Sequence, residues 1–218
     1  FIMMKQQIHS VLEVRQRQEK EKAKLELDKL MYQINPHFLM NALNSVHWMA
    51  VSSKQKEIDR YIQRLGYILS YSLGKAETRT TLRTELKYLE NYLKLQQSTY
   101  DFQCIWEVEE GAYLDQVCAR FILQPIAENA VCHNMNEFGH LWIRVFPEEK
   151  NVRIIIRDDG RGFVSVAAGE EKEQKNRGIG LRYVKMSLDS FYGDQAVLTI
   201  DSKTGEGTEV QIVLPREM

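Results

Sequence analysis

Leu123-Gln124-Pro125-Ile126-Ala127-Glu128-Asn129-Ala130-Val131-Cys132-His133 begins with a proline and then alternates two kinds of surface. Pro125 suits the first turn of a helix, where its missing N–H has no intrahelical partner to lose. From there Ile126, Ala127, Ala130 and Val131 form an apolar stripe, while Glu128, Asn129, Cys132 and His133 share the opposite one. An amphipathic helix with a wet face is an ordinary object by itself. Its surroundings make it informative. Ile105 to Val108, Leu141 to Phe146 and Val152 to Ile156 read as short strands, with Pro147-Glu148-Glu149-Lys150 as a hairpin connection. Ala196 to Ile200 and Thr208 to Leu214 read as a second hairpin across Thr204-Gly205-Glu206-Gly207, and a helical pattern spans Leu181 to Phe191.

Upstream the period is helical throughout. Lys5 to about Leu30 holds no Gly or Pro and is rich in strong helix formers. Its middle, Arg15 to Lys22, is polar all round, so it is expected to pair with another copy or extend from a bundle. Ile34, Phe38, Leu39, Ala42, Leu43, Val46 and Met49 return at helical spacing, with Pro36 expected to bend the axis. A second stripe, Ile58, Tyr61, Ile62, Leu65, Ile68 and Leu69, follows the short link Ser52-Ser53-Lys54, which favours an antiparallel hairpin. Gly74 to Thr81 is a polar connector, and a third helix runs from Leu82 to about Gln97. The reading is α+β: a helical front half, then a mixed half, with a boundary near residues 80 to 98.

Composition narrows the function. Of 218 residues, 44% are hydrophobic and 27% charged, which fits a soluble globular chain. The net charge of -1 gives no electrostatic drive toward nucleic acid, so direct nucleic-acid binding is not expected. Cys104, Cys118 and Cys132 lack CxxC pairing and read as small hydrophobes. A metal trio of Cys132, His133 and His140 lacks a fourth ligand. No apolar run approaches the ~18 residues of a membrane span.

Four further strings carry chemistry. In Gln33-Ile34-Asn35-Pro36-His37-Phe38-Leu39-Met40-Asn41-Ala42-Leu43-Asn44, a histidine follows a helix-bending proline among amides. A lone helix histidine is usually structural. An imidazole with a pKa near ~6.5 is nevertheless largely neutral and nucleophilic in the cell, as a phosphoryl acceptor must be. Ile156-Arg157-Asp158-Asp159-Gly160-Arg161-Gly162-Phe163 is a strand ending in Asp and two alternating glycines, at its plainest a tight turn. Arg177-Gly178-Ile179-Gly180-Leu181 reads as glycines opening a helix, whose free N–H groups suit an anion. Before it, Val164 to Asn176 is charged and nearly without large apolar groups, so it is expected to be a mobile lid. Gly205-Glu206-Gly207-Thr208 is the last.

Taken in order, these strings resemble the LytS/YesM-type sensor histidine kinases. QINPHFLMNALN is similar to their acceptor box, Q-I-x-P-H-F-L-x-N-x-L. LQPIAENAVCH is close to LQPLVENAIKH, the N box of the GHKL ATP-binding fold. The D-x-G-x-G, G-x-G-L and G-x-G-T boxes follow, and the likeness spans about residues 30 to 215. It implies a signalling helix at 1–29, a dimerisation and phosphotransfer hairpin at 30–80 in a dimeric four-helix bundle, and a GHKL-type α/β sandwich at 81–218 with a connecting helix at 81–97. It also implies ATP and Mg2+ as cofactors, autophosphorylation of His37, and transfer to an aspartate of a response-regulator receiver domain. Val46-His47-Trp48-Met49-Ala50 leans toward the YesM-like branch, whose regulators often carry AraC-type output domains. The implied location is the cytoplasmic portion of a bacterial membrane sensor, anchored through segments outside this chain.

By the same resemblance Asn129 ligates Mg2+, Glu128 orients or deprotonates the nucleophile, and His133 sits near the phosphates. Asp158 accepts from the adenine amine while Gly160 and Gly162 let the backbone approach the ring. Gly178, Gly180 and Leu181 close over the triphosphate, and Thr208 lies at the base of the pocket. There are departures. Phe38 stands where many histidine kinases have an acidic base, Tyr183 where this family often has Asn, and Ser187 where Arg is common. Val117-Cys118-Ala119-Arg120 is less apolar than the usual approach to the N box. Tyr183 and Ser187 support a rival reading, a degenerate module that binds nucleotide and signals by conformation. Other GHKL ATPases lack the acceptor box.

Overall fold

The computed structural model describes residues 36–73, 79–134, 139–162 and 174–216, with side chains for all of these except 36, 37, 133, 134 and 174–179. The expected leading helix and residues 164–173 of the expected lid lie outside the described residues, while the end of that stretch, 174–176, is the start of a helix at Gln174–Tyr192. By internal contacts the chain divides into two units, Phe1–Asp59 and Arg60–Met218.

In the first unit, helix α1 runs over Pro36–Ser52, Pro36 being the first described residue. The expected bend there depends on preceding residues outside the described ones. Helix α2 (Lys56–Leu73) starts after a turn in which Lys54 takes φ of 57°. The His47 imidazole meets the Asp59 carboxylate at 2.5 Å, so the chain folds back within this unit. Phe38, Trp48 and Met49 of α1 are about two-thirds exposed (67%, 65% and 65%).

The second unit is built on a sheet. Its order is β2 (Phe102–Val108), β4 (Gly139–Pro147), β5 (Asn151–Asp158), β7 (Gly207–Pro215) and β6 (Val197–Lys203). The strands begin and end within a few residues of the sequence expectation, because alternation is strong. Leu141, Ile143 and Val145 of β4, Val152, Ile154 and Ile156 of β5, and Val210, Ile212 and Leu214 of β7 are all buried. Alternate residues of a strand face one side, so these nine form one continuous inner face. Helix α3 (Leu82–Gln96) contributes Leu82, Leu86, Leu89 and Leu93 to the same core. Helix α5 (Gln174–Tyr192) contributes Val184 and Leu188. Thr81 caps α3, its Oγ1 accepting the Thr84 amide at 3.2 Å.

Three features depart from the sequence reading. The polar connector ends in a short strand, β1 (Arg79–Thr81), paired antiparallel with β3 (Val117–Ala119). β2 pairs with β4 in parallel, a partner that strand alternation does not name, and the chain between them crosses over through helix α4 (Gln124–Asn129). And α4 is α-helical only over Gln124–Asn129, widening into a π turn at Ala130–Asn134 that lies against β5 and β7.

Candidate nucleotide site

Two glycine turns meet at the end of the sheet. Asp158 closes β5, is 2% exposed, and accepts the Gly160 amide on Oδ1 at 3.0 Å. It stands opposite Thr208 in the β5–β7 register. Thr208 shares a 2.9 Å hydrogen bond with Ser202, which also donates to the Gly207 carbonyl. The Gly205 amide donates to the Arg161 carbonyl at 2.7 Å, tying the two turns together. At Gly162 (φ +58°) a Cβ would lie 2.0 Å from the Lys203 carbonyl oxygen, and at Gly207 (φ +92°) 2.0 Å from that of Asp158. Backbone therefore packs on backbone, and only glycine fits. This brings Asp158, Gly160, Gly162 and Thr208 together.

The α4 stripe buries Ile126, Ala127, Ala130 and Val131, leaving Glu128 exposed and Asn129 half-buried. The Asn129 side-chain nitrogen is itself buried and meets no protein acceptor. Above it runs α5, where a Cβ on Gly180 would sit 3.2 Å from Pro125 Cβ and 3.7 Å from the Asn129 nitrogen. Glu128 lies near Tyr92 and Cys132; burial first, then its negative charge, raises the Tyr92 phenol, and both contribute to raising the Cys132 thiol. Leu181 is half-buried against the core.

The glycines of Arg177-Gly178-Ile179-Gly180-Leu181 do not open their helix. α5 begins at Gln174, so Gly178 and Gly180 lie inside it with their amides within helical structure. Gln174, Lys175 and Arg177 are good helix formers, and an interior glycine costs only roughly 0.5–1 kcal/mol against alanine. That is too little to end a helix whose later turns pack on the core. Here Gly180 serves close approach to α4 rather than an open anion cradle.

His37 is the second residue of α1 and belongs to the first unit, while the other site residues belong to the second. The side chains of His37 and His133 lie outside the described ones. His140 of the discarded metal trio instead engages Asp159, Nδ1 to Oδ2 at 2.7 Å. Among the described residues no group of three His, Cys, Asp or Glu could hold a metal. A magnesium ion that keeps its waters and substrate phosphates needs few protein ligands, so the single amide of Asn129 fits one. Burial pushes the Cys104 thiol up to about 12, in keeping with an inert packing role.

The site has a support that the motifs miss. Glu85 of α3 is fully buried and accepts the Ile122 and Leu123 amides on Oε1, at 2.9 and 3.4 Å, just before α4. The available signal is its position. Glu85 falls on the Leu82, Leu86, Leu89, Leu93 stripe, where an acid is out of place unless bonded.

Two family models match in tandem: Histidine kinase over residues 25–103, and Histidine kinase-, DNA gyrase B-, and HSP90-like ATPase over residues 114–218. The chain belongs to the sensor histidine kinase family. This family member is 27% identical to the sensor histidine kinase YesM of Bacillus subtilis, across 99% of the chain and 37% of that protein. It is 28% identical to the sensor protein LytS of the same organism, across 88% of the chain and 34% of that protein. With the sensor protein kinase HptS of Staphylococcus aureus the identity is 26%, across 99% of the chain and 42% of that protein. The chain thus spans about two-fifths or less of these relatives. In fold it is similar to the catalytic domain of the histidine kinase ThkA (TM-score 0.50, 12% identity, 64% of this chain and 96% of that one). The Acinetobacter baumannii histidine kinase AdeS gives TM-score 0.50 and 12% identity over 84% of this chain and 96% of that one. These likenesses establish a histidine-kinase catalytic fold of the GHKL type.

Proposed function

We propose that the chain is the catalytic core of a two-component sensor kinase that transfers the γ-phosphoryl group of ATP to His37 and then to an aspartate of a receiver domain. The observation that carries this is the buried side-chain nitrogen of Asn129, which meets no protein acceptor. A buried polar group without a partner in the chain has hydrogen-bonding capacity left for a water, an ion or a ligand. An asparagine amide turned half a revolution presents oxygen instead of nitrogen, so it serves a metal or a phosphate oxygen equally.

In this reading Asp158 receives the adenine amine, the Gly160–Gly162 turn and Thr208 floor the pocket, and Asn129 holds Mg2+. The metal would neutralise phosphate charge. His133 and α5 from Gly178 to Leu181 flank the phosphates. A neutral His37 nitrogen forms the new N–P bond as the P–O bond to ADP breaks, and the imidazolium proton passes to solvent or to Glu128. Phosphoryl transfer needs alignment and charge neutralisation more than covalent help. The domain limits proposed are those of the sequence reading: a signalling helix to 29, a phosphotransfer hairpin at 30–80 and an ATP-binding domain from 81. The exposed Phe38, Trp48 and Met49 on α1 favour a homodimer in which a second copy covers them. Membrane attachment through other segments, and a regulator with AraC-type output, extend the proposal.

The test is incubation with γ-labelled ATP. Wild type should take up acid-labile label, and His37→Gln should take up none while still binding ATP. Label persisting on His37→Gln would sink the acceptor assignment. Nucleotide bound by wild type without any label would favour the conformational module instead.

A further inference from the structure

The last turn of α2 lies in the second unit and is held there by its own polar groups. The Tyr71 hydroxyl donates to Glu85 Oε2 at 2.6 Å, while the other oxygen of the same carboxylate takes the Ile122 and Leu123 amides. Arg120 donates to the Tyr71 carbonyl in the last turn of α2, and its guanidinium lies 4.3 Å from the centre of the Tyr71 ring. Ser72 meets the Tyr88 hydroxyl at 3.4 Å, and Tyr88 donates to Gln124 Oε1 at 2.9 Å. Tyr71, Tyr88 and Phe121 pack as a ring cluster, with centroids 4.4 to 5.5 Å apart.

Every path in this cluster ends at the start of α4. Gln124 is its first residue, and Ile122 and Leu123 are the two before it. Phe121, with φ of 57°, is a non-glycine residue held in the left-handed region. Such a turn aims successive amides at one point, an anion-binding concavity that Glu85 fills from within the chain. Burial pushes the Glu85 carboxyl up, while the Tyr71 hydroxyl and the amides of Phe121, Ile122 and Leu123 oppose it. One carboxylate therefore holds, on its two oxygens, the end of α2 and the beginning of the Asn129 helix. Tyr71 and Glu85 fall within the histidine kinase match (25–103), Ile122 and Leu123 within the ATPase match (114–218).

We propose that Glu85 is a positioning residue that couples the end of α2 to the nucleotide site, so that a shift of Tyr71 changes the hold of Asn129 on Mg-ATP. The inference rests on the nucleotide site being as proposed above. A strained turn kept in place by one shared carboxylate has a second arrangement available when the Tyr71 bond opens. The two sites then differ in which arrangement each favours, the physical content of coupling.

The experiment measures Mg-ATP dissociation constants and melting temperatures of the chain with Tyr71→Phe, Glu85→Gln and the pair. Tyr71→Phe keeps the ring and removes only the donor. It should weaken Mg-ATP about five-fold, at the low end of usual coupling energies, while melting shifts by only a few degrees. The pair should be no weaker than Glu85→Gln alone, since both remove one path. Arg83→Ala, on the same helix as Glu85 and breaking exposed ion pairs to Asp115 and Glu110, should leave affinity unchanged. If Glu85→Gln does not fold, Arg120→Gln replaces it and should match Tyr71→Phe. Affinity for Tyr71→Phe within two-fold of wild type, or losses that multiply in the pair, would overturn the coupling. A wild type that binds and phosphorylates normally beside such a Tyr71→Phe overturns the coupling alone. A wild type that binds no Mg-ATP overturns the functional proposal with it.

Discussion

The glycines at the two sides of the site do opposite work. Gly162 and Gly207 sit at strand ends with positive φ, and each has another residue's carbonyl where a side chain would go. Gly178 and Gly180 lie in the early turns of α5, in a conformation any residue adopts, and Gly180 is constrained only by Pro125 and Asn129 across a helix contact. The first pair is demanded by backbone geometry in the folded chain. The second sits in helical backbone that any residue adopts, and at Gly180 the close approach of Pro125 offsets the helix-propensity cost of glycine. A glycine-x-glycine string therefore carries no single structural meaning; what lies over the missing Cβ gives it one. The side proposed for adenine is preformed, and the side proposed for the phosphates holds a helix with two glycines in its early turns.

The largest expected effect tests the preformed side. Gly207→Ala forces a methyl onto the Asp158 carbonyl and a side chain into positive φ, and should cost roughly 3 kcal/mol or more, or abolish folding. Urea denaturation measures it; a loss below about 1 kcal/mol would mean that the two turns separate easily. Next, Asp158→Ala should leave the strands paired but weaken ATP binding by about ten- to a hundred-fold, the worth of a hydrogen bond to a charged group. Titration calorimetry reads this directly. Asn129→Asp should bind nucleotide yet lose most kinase activity, because in the proposed site an added negative charge would face the phosphates; unchanged activity would count against the metal role. Gly180→Ala presses on Pro125 at 3.2 Å. It should reduce ATP affinity a few-fold with stability within about 1 kcal/mol of wild type, helix propensity offsetting the contact. Smallest is Gly178→Ala, expected to raise stability by roughly 0.5–1 kcal/mol. A Gly178→Ala protein that is less stable would show that this glycine is required by the folded chain, as Gly207 is, and the contrast would fail.

Much of the site is legible in the sequence. Asp158, Gly160, Gly162 and Thr208 are close along the chain to strong strand signals, and turn chemistry is local. The wet and apolar faces of α4 follow from spacing alone. Glu85 is not legible as a support, because its partners come from residues 71, 122 and 123, and no local rule links them. The parallel pairing of β2 with β4 escapes for the same reason: alternation shows which residues face inward but not which strand lies beside which. The start of α5 differs from its sequence expectation because propensity near glycine is a small term, readily outweighed by packing of the later turns against the core.

By itself, the sequence determined the main helices and the five strands of the large sheet, their inward faces, the family, and the residue types offered to a nucleotide. Periodicity and turn residues act over a few positions, and the chain states them openly. Only the tertiary structure decided that Gly162 and Gly207 lie against carbonyls from distant residues. Only there does Asn129 come to rest under Gly180 with its side-chain nitrogen unpaired, and a buried glutamate join the end of α2 to the beginning of α4. These depend on contacts between segments far apart in sequence, whose distances and unmet hydrogen bonds exist only once the core has closed.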